Sequence, residues 1–96
     1  MRLRFALRAR GDIANIHQYI ASRNTDAATA VVRQIRSTSQ LLARYPGLGR
    51  ETSISGVRVI PTTRYPYLVY HRVIADEVVI IHVRDGRRDV PEDGDL

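Results

Sequence analysis

The side chains best suited to chemistry are histidines, tyrosines and arginines in the second half of the chain. Histidine is the side chain most often used as a general base, but without an acid in the tail we expect His82 to be packed or to contact a partner. Paired arginines can hold a phosphate, but they are poor proton donors and acceptors at neutral pH. His71 and His82 would supply two metal ligands with no third at a suitable spacing. We therefore predict neither a metal site nor a cofactor.

The basic residues are unusual, because all 15 of them are arginine and the net charge is +5. Two explanations remain open at this point. One is a coding bias that replaces lysine with arginine, and the other is a need for planar, bidentate donors that face phosphate or carboxylate. In either case the positive charge predicts an acidic partner, which could be nucleic acid or an acidic protein.

The length of 96 residues predicts one domain, 1–96, with a single core. A hydrophobic content of 44% is sufficient for folding. The absence of cysteine excludes disulfides and cysteine nucleophiles. The N-terminus does not resemble a signal peptide and no apolar run approaches about 20 residues, so we expect a cytoplasmic protein without membrane contact.

The first half of the chain predicts a strand followed by two helices. Weak alternation indicates a strand over 2–7, and apolar spacings of three and four residues indicate helices over 8–23 and 26–44. Either Asn24 or Thr25 is expected to cap the second helix. Because the link between the helices is short, they should form an antiparallel hairpin.

The second half predicts three strands, over 57–61, 67–74 and 77–84, followed by a charged and irregular tail at 85–96. The two-residue link Ala75-Asp76 indicates a tight hairpin between the last two strands. The element order is therefore β-α-α-β-β-β. It predicts an α+β fold in which a helical hairpin packs on a small antiparallel sheet.

A two-residue link in that hairpin sets a register that places two groups of residues on opposite faces of the sheet. The group expected to pack under the helices is Leu68, Tyr70, Val79, Ile81 and Val83. The group expected to form an open functional surface includes Tyr67, His71, His82 and Arg84.

Four segments resemble the RelE/ParE superfamily of toxins over nearly the whole chain, with the closer likeness to its ParE branch. The segments are Asp12-Ile13 with Tyr19-Ile20, the helix exit Leu42 to Arg50 with Pro46 and Gly49, the strands Gly56-Val57-Arg58 and Tyr65 to Tyr70, and Val79 to Val83 followed by Gly86-Arg87-Arg88-Asp89. Their order and spacing together make chance agreement improbable.

The resemblance implies one of two activities. ParE-like toxins are associated with poisoning of DNA gyrase without catalytic chemistry of their own, whereas RelE-like toxins cleave mRNA on the ribosome. The chain departs from the nuclease pattern at Tyr67, where the nucleases carry arginine, and at Ile60, where many carry lysine. Arg58 and Arg88 do match basic positions of the nuclease site.

We therefore expect a gyrase poison without catalytic residues, which a cognate ParD-like antitoxin neutralises. Contact with operator DNA is expected only through that antitoxin. One alternative is a ribosome-dependent endoribonuclease that uses Arg58 and Arg88, and another is an inactive toxin-like module that acts as a co-repressor. The residues expected to bind the target or partner are Arg58, Arg64, Tyr67, His82, Arg84, Arg87 and Arg88.

Overall fold

The computed structural model describes residues 1–87. Two helices cover one sheet of five strands in the order β1-β5-β4-β3-β2, which confirms the predicted α+β fold with a helical hairpin. The elements are β1 (Arg2–Phe5), α1 (Leu7–Ala21), α2 (Thr25–Arg44), β2 (Arg50–Glu51), β3 (Arg58–Pro61), β4 (Tyr67–Ile74) and β5 (Glu77–Asp85). β5 therefore includes Asp85, which the sequence assigned to the tail, and β2 was not predicted.

The sheet is mixed, so the prediction of an antiparallel sheet is wrong for one strand. β1 pairs parallel with β5, from Arg2 opposite Glu77 to Phe5 opposite Ile80. The other three strand pairs are antiparallel. A four-residue apolar alternation shows which face of a strand is buried but contains no information about the direction of its neighbour.

The helices begin and end close to the predicted positions. The Asn24 side chain caps α2, since its Oδ1 accepts a hydrogen bond from the Ala27 amide at 3.0 Å. Asp26 in the first turn and Arg44 in the last turn complement the helix dipole. Over residues 1–87, no helix is both long enough and apolar enough to cross a bilayer.

The hairpin of β4 and β5 follows the predicted register only near its turn. Pairing runs as expected from Ile74 opposite Glu77 to His71 opposite Ile80. A β-bulge follows, and Tyr70 then lies opposite His82 instead of the predicted Ile81. An extra residue in one strand shifts all later pairs by one position. The register was predicted from the turn, and the turn sequence gives no information about a bulge further along the strands.

On β4, and on β5 as far as the bulge, the two faces of the sheet are the reverse of those predicted, whereas Val83 beyond the bulge lies under the helices as expected. The cluster under the helices contains Tyr67, Val69, Val78, Ile80 and Val83. On the other face, Tyr70 packs with Val57 and Val59, and Leu68 and Ile81 lie against them. The expected open surface is therefore wrong, because Tyr67, His71 and His82 are only 6%, 1% and 7% exposed.

Buried His71 ties the segment after α2 to the sheet. Its Nε2 lies 3.1 Å from the carbonyl oxygen of Pro46, which can only accept, so the imidazole is the donor. Burial lowers the pKa of His71, the bond to Pro46 partly offsets this by raising it, and the charge of Arg58 lowers it further. The folded protein consequently favours neutral His71.

This lowered pKa predicts that acid destabilises the fold through His71. Below the ordinary histidine pKa of about 6.5, the unfolded chain takes up a proton that the folded chain resists. The associated stability is present above about pH 6.5 and is lost as pH falls toward the lowered pKa, by at most about 1.4 kcal/mol per pH unit. Urea unfolding at a series of pH values below about 6.5 measures this effect. The free energy of unfolding should change less with pH for His71→Gln than for the wild type.

Exposed His17 on α1 provides the control for this measurement. The His17→Gln variant should keep the wild-type dependence on pH. Equal slopes for wild type and His71→Gln would contradict the assignment to His71.

Candidate functional site

A cleft of about 760 Å³ lies between α1 and the carboxyl end of β5. Both helix and sheet supply polar side chains to it, and the segment before β4 closes one side. Its walls include Asp12, Asn15 and Tyr19 from α1, Tyr65 and Tyr67, and His82, Arg84, Asp85 and Arg87 from the end of the sheet. We refer to it as the α1–β5 cleft.

Asp12 is placed at the edge of the sheet by the early end of β1. The chain leaves β5 after the Ala6 amide donates to the Ile80 carbonyl at 2.9 Å, and α1 then begins. Further along β5, the Val83 amide donates to Oδ2 of Asp12 at 3.0 Å. A helix side chain therefore takes the position that a longer β1 would have filled, and it satisfies a backbone donor at the edge.

The same carboxylate oxygen holds His82. Nδ1 of His82 lies 2.7 Å from Oδ2 of Asp12, and the imidazole ring lies 5.5 Å from the ring of Tyr70. Because the His82 side chain is 9% exposed and its Nδ1 already faces a carboxylate, that nitrogen is not available as a general base. The pair orients His82 and connects α1 to the bulged part of β5.

Arg84 lines the cleft but is held by the sheet. Its Nε donates to the Tyr70 hydroxyl at 3.2 Å, and its guanidinium carbon lies 5.7 Å from the centre of the Tyr70 ring. Nη1 donates to the Asp85 carbonyl at 3.3 Å. Nη2 is buried without a hydrogen-bond partner in the part of the chain that the structure describes. The guanidinium is therefore fixed in position and retains one unsatisfied donor group.

Arg87 lies exposed at the mouth of the cleft and is paired with Asp85. Its Nε donates to Oδ1 of Asp85 at 3.2 Å, and its Nη2 donates to Oδ2 at 3.0 Å. The hydrogen bond and charge of Asp85 raise the pKa of Arg87. An acidic ligand at this position would compete with Asp85 for the guanidinium.

The structure brings together four of the predicted site residues and places Arg58 apart from them. Tyr67, His82, Arg84 and Arg87 line the α1–β5 cleft. Arg58 lies on β3 outside the cleft, where Nη1 donates to the Gly49 carbonyl at 2.9 Å and Nη2 is 3.4 Å from the Glu51 carboxylate. Arg64 is exposed between β3 and β4. Arg88 falls outside the described residues.

Sequence reasoning assigned no role to Asp12. The available signal was its position beside the apolar stripe of α1, because a carboxylate at the edge of a buried face needs a hydrogen-bonding partner. Its partner His82 is 70 residues away in sequence, and spacing along the chain cannot reveal such a contact. Within residues 1–87, no three histidine, aspartate or glutamate side chains are grouped so as to hold a metal ion.

Comparison with known proteins places this arrangement in a family. Residues 3–90 match the family model described as "ParE toxin of type II toxin-antitoxin system, parDE". A protein of Sinorhizobium fredii (strain NBRC 101917 / NGR234) named "Putative toxin Y4kP" is 33% identical over 91 residues, which cover 95% of this chain and 94% of that protein.

Two solved structures are similar in fold. A chain of the chromosomal ParDE system from P. aeruginosa superposes with a TM-score of 0.77 at 25% identity, over 88% of this chain and 95% of the other. The HP0894 protein from Helicobacter pylori shares the fold alone, with a TM-score of 0.57 at 11% identity over 92% and 97% of the two chains. Together with the family match over 3–90, these findings show that the chain belongs to the ParE toxin family of type II toxin–antitoxin systems.

Proposed function

We propose that this toxin arrests growth by poisoning DNA gyrase and that a cognate, ParD-like antitoxin neutralises it. The observation that carries the choice of gyrase over mRNA cleavage is the position of Arg58. Its guanidinium donates to the Gly49 carbonyl and faces the Glu51 carboxylate. Because Nη1 already donates to a backbone carbonyl of the folded chain, fewer of the Arg58 donors remain for the phosphate of an mRNA.

Within residues 1–87, the histidine opposite Arg58 in the sheet is not placed to transfer a proton. His71 lies opposite Arg58 on β4, but it is 1% exposed and its Nε2 is bonded to the Pro46 carbonyl. Cleavage at a 2′-hydroxyl needs a group that takes up or supplies a proton within hydrogen-bonding reach of the reacting atoms. This supports a toxin that acts by binding, with Arg58 in a structural role.

We assign antitoxin binding to the α1–β5 cleft and the exposed arginines around it. Ile16, Ile20 and Val31 give the cleft apolar walls, and Arg87 stands at its mouth with Arg64 on the neighbouring loop. An extended acidic segment of the antitoxin could fill the cleft with its apolar side chains. Its carboxylates could then replace Asp85 as partners of the Arg87 guanidinium. Tyr67, His82 and Arg84 would be reached through the cleft, and Arg88 follows Arg87 directly.

Induction of the chain without antitoxin tests the proposal in cells. We expect growth arrest with filamentation and an SOS response, because a poisoned gyrase leaves broken DNA. Purified gyrase should lose supercoiling activity at saturating toxin. The measurements are colony counts, cell length, an SOS reporter and a supercoiling gel.

The control is a Val69→Asp variant, which places a charge at a fully buried core position and should abolish toxicity by unfolding the domain. Arrest with rapid loss of translation, cleaved transcripts and no SOS response would instead establish the nuclease. Growth without arrest, at equal protein levels, would point to an inactive module.

A further inference from the structure

The positive charge of this protein is concentrated in its first half. Residues 1–44 contain eight arginines and two aspartates, whereas residues 45–96 contain seven arginines and eight acidic residues. A coding bias toward arginine would affect both halves, so it does not account for the missing acidic side chains around the helices. The excess lies on the strand β1 and the helical hairpin.

The outer side of α2 carries a stripe of basic and polar side chains. Arg33, Arg36 and Arg44 are exposed and, at 3.6 residues per turn, lie within an arc of about 80°. Ile35 and Leu42 are fully buried on the side that faces the core. The arginines therefore point away from the sheet, along the surface opposite the core.

A groove extends this basic surface onto α1. It has a volume of about 670 Å³ and lies between the two helices. Arg10 and His17 of α1 and Arg36 of α2 stand along it, over a floor that includes Ile13 and Val32. None of its lining residues is acidic.

These arginines differ from Arg87 at the cleft in lacking an anionic partner. Within residues 1–87, Arg10, Arg33, Arg36 and Arg44 take part in no ion pair or hydrogen bond through their guanidinium groups. Arg58 and Arg87, by contrast, are both held by carboxylates. Four unpaired guanidinium groups on one face form an electrostatic surface suited to an external polyanion.

We propose that this face, comprising Arg10, Arg33, Arg36 and Arg44, binds the phosphate backbone of duplex DNA. Arginine and glutamine are typical backbone-contacting side chains, and Gln40 lies within the stripe. The stripe from Arg33 to Arg44 extends about 16 Å along the helix, which matches about five base pairs of duplex. This proposal differs from the expectation that the toxin contacts DNA only through its antitoxin, because here the toxin binds DNA directly.

The composition of the stripe favours a duplex over the other polyanions. Between Arg33 and Arg44 there is no aromatic residue on which unpaired bases could stack, as single-strand binders require. From Arg33 to Arg44, Leu41 is the one large apolar side chain that is exposed, whereas clusters of apolar or aromatic anchors dominate protein interfaces. The choice of DNA over RNA rests on the proposed function, since gyrase holds duplex DNA.

The test is fluorescence anisotropy of a labelled duplex of about 20 base pairs, of arbitrary sequence, titrated with the full chain at several salt concentrations. Four phosphate contacts predict a slope of log K against log salt of about −3.6. The double variant Arg33→Gln/Arg36→Gln should make that slope shallower by about two and weaken binding at least about tenfold at low salt.

The matched control is Arg50→Gln/Arg72→Gln, which replaces two exposed arginines in the other half of the chain. It lowers the net charge by the same amount as Arg33→Gln/Arg36→Gln. It should bind the duplex as the wild type does. Equal losses in the two double variants, tighter binding of a single strand or of an RNA duplex of the same length, or no binding at low salt would each overturn the proposal.

Supercoiling assays on the same variants separate this proposal from the proposed function. If the chain binds DNA through the α2 stripe but leaves gyrase active, the gyrase proposal is wrong and the DNA-binding proposal stands. If the wild-type chain inhibits gyrase but does not bind the duplex, only the DNA-binding proposal is wrong.

Discussion

Replacing Asp12 with alanine is expected to reduce the free energy of unfolding by about 3 kcal/mol. The carboxylate oxygen of Asp12 accepts from the Val83 amide at 3.0 Å and lies 2.7 Å from Nδ1 of His82. Alanine would leave both polar groups without this acceptor, and each unsatisfied buried group costs about 1–3 kcal/mol. For a small domain, whose total stability is about 5–15 kcal/mol, this is a large fraction.

Urea unfolding of the purified chain measures the effect. Asn15→Ala is the matched control on the same helix, because Asn15 is exposed, and it should change stability by less than about 0.5 kcal/mol. Asp12→Asn retains one acceptor oxygen and should fall between the two. If Asp12→Ala were no more destabilised than Asn15→Ala, Asp12 could not be the residue that holds α1 to β5.

The two helices and the limits of β4 were predictable because local patterns determine them. β4 begins and ends at the predicted residues, Tyr67 and Ile74, and the apolar stripe of α2 is long enough to specify its 20 residues. The faces of the hairpin were not predictable in the same way. Both faces carry apolar residues, for example Val69 on one and Tyr70 on the other, so alternation alone does not choose between them.

The candidate site likewise combines features that local sequence patterns predict with features that depend on the folded chain. Tyr67, Arg84 and Arg87, which the sequence places near the end of the last strand, line one cleft in the structure, and their part in binding stays a prediction. The accessibility of Tyr67 was predicted wrongly, because the wrong face of β4 was taken to be buried and Tyr67 in fact lies under the helices. The bulge shifts only the β5 residues beyond Ile80. The contact between Asp12 and His82 depends on where β1 stops and α1 starts, and this is a property of the folded chain with no local sequence pattern.

Gly49, in the segment that leaves α2, provides the second large expected effect. Its φ is +92°, and a Cβ added there would lie 2.6 Å from the Val59 carbonyl oxygen and 3.0 Å from the carbonyl carbon. The left-handed backbone costs a non-glycine residue about 1–2 kcal/mol, and relief of the overlap costs about 1–3 kcal/mol more. We expect Gly49→Ala to lower the free energy of unfolding by about 3 kcal/mol.

Neighbouring Gly47 makes this expectation specific, because a Cβ there would meet nothing within 4 Å and its φ is not left-handed. Gly47→Ala should therefore be neutral within about 0.5 kcal/mol or slightly stabilising. Thermal and urea unfolding of both variants measure the difference, and equal stability would contradict the close approach to Val59. Since the Gly49 carbonyl also accepts from Arg58, a shifted segment in Gly49→Ala would release that guanidinium. Because we propose a toxin that acts by binding, we expect this variant to cleave no mRNA even with Arg58 released.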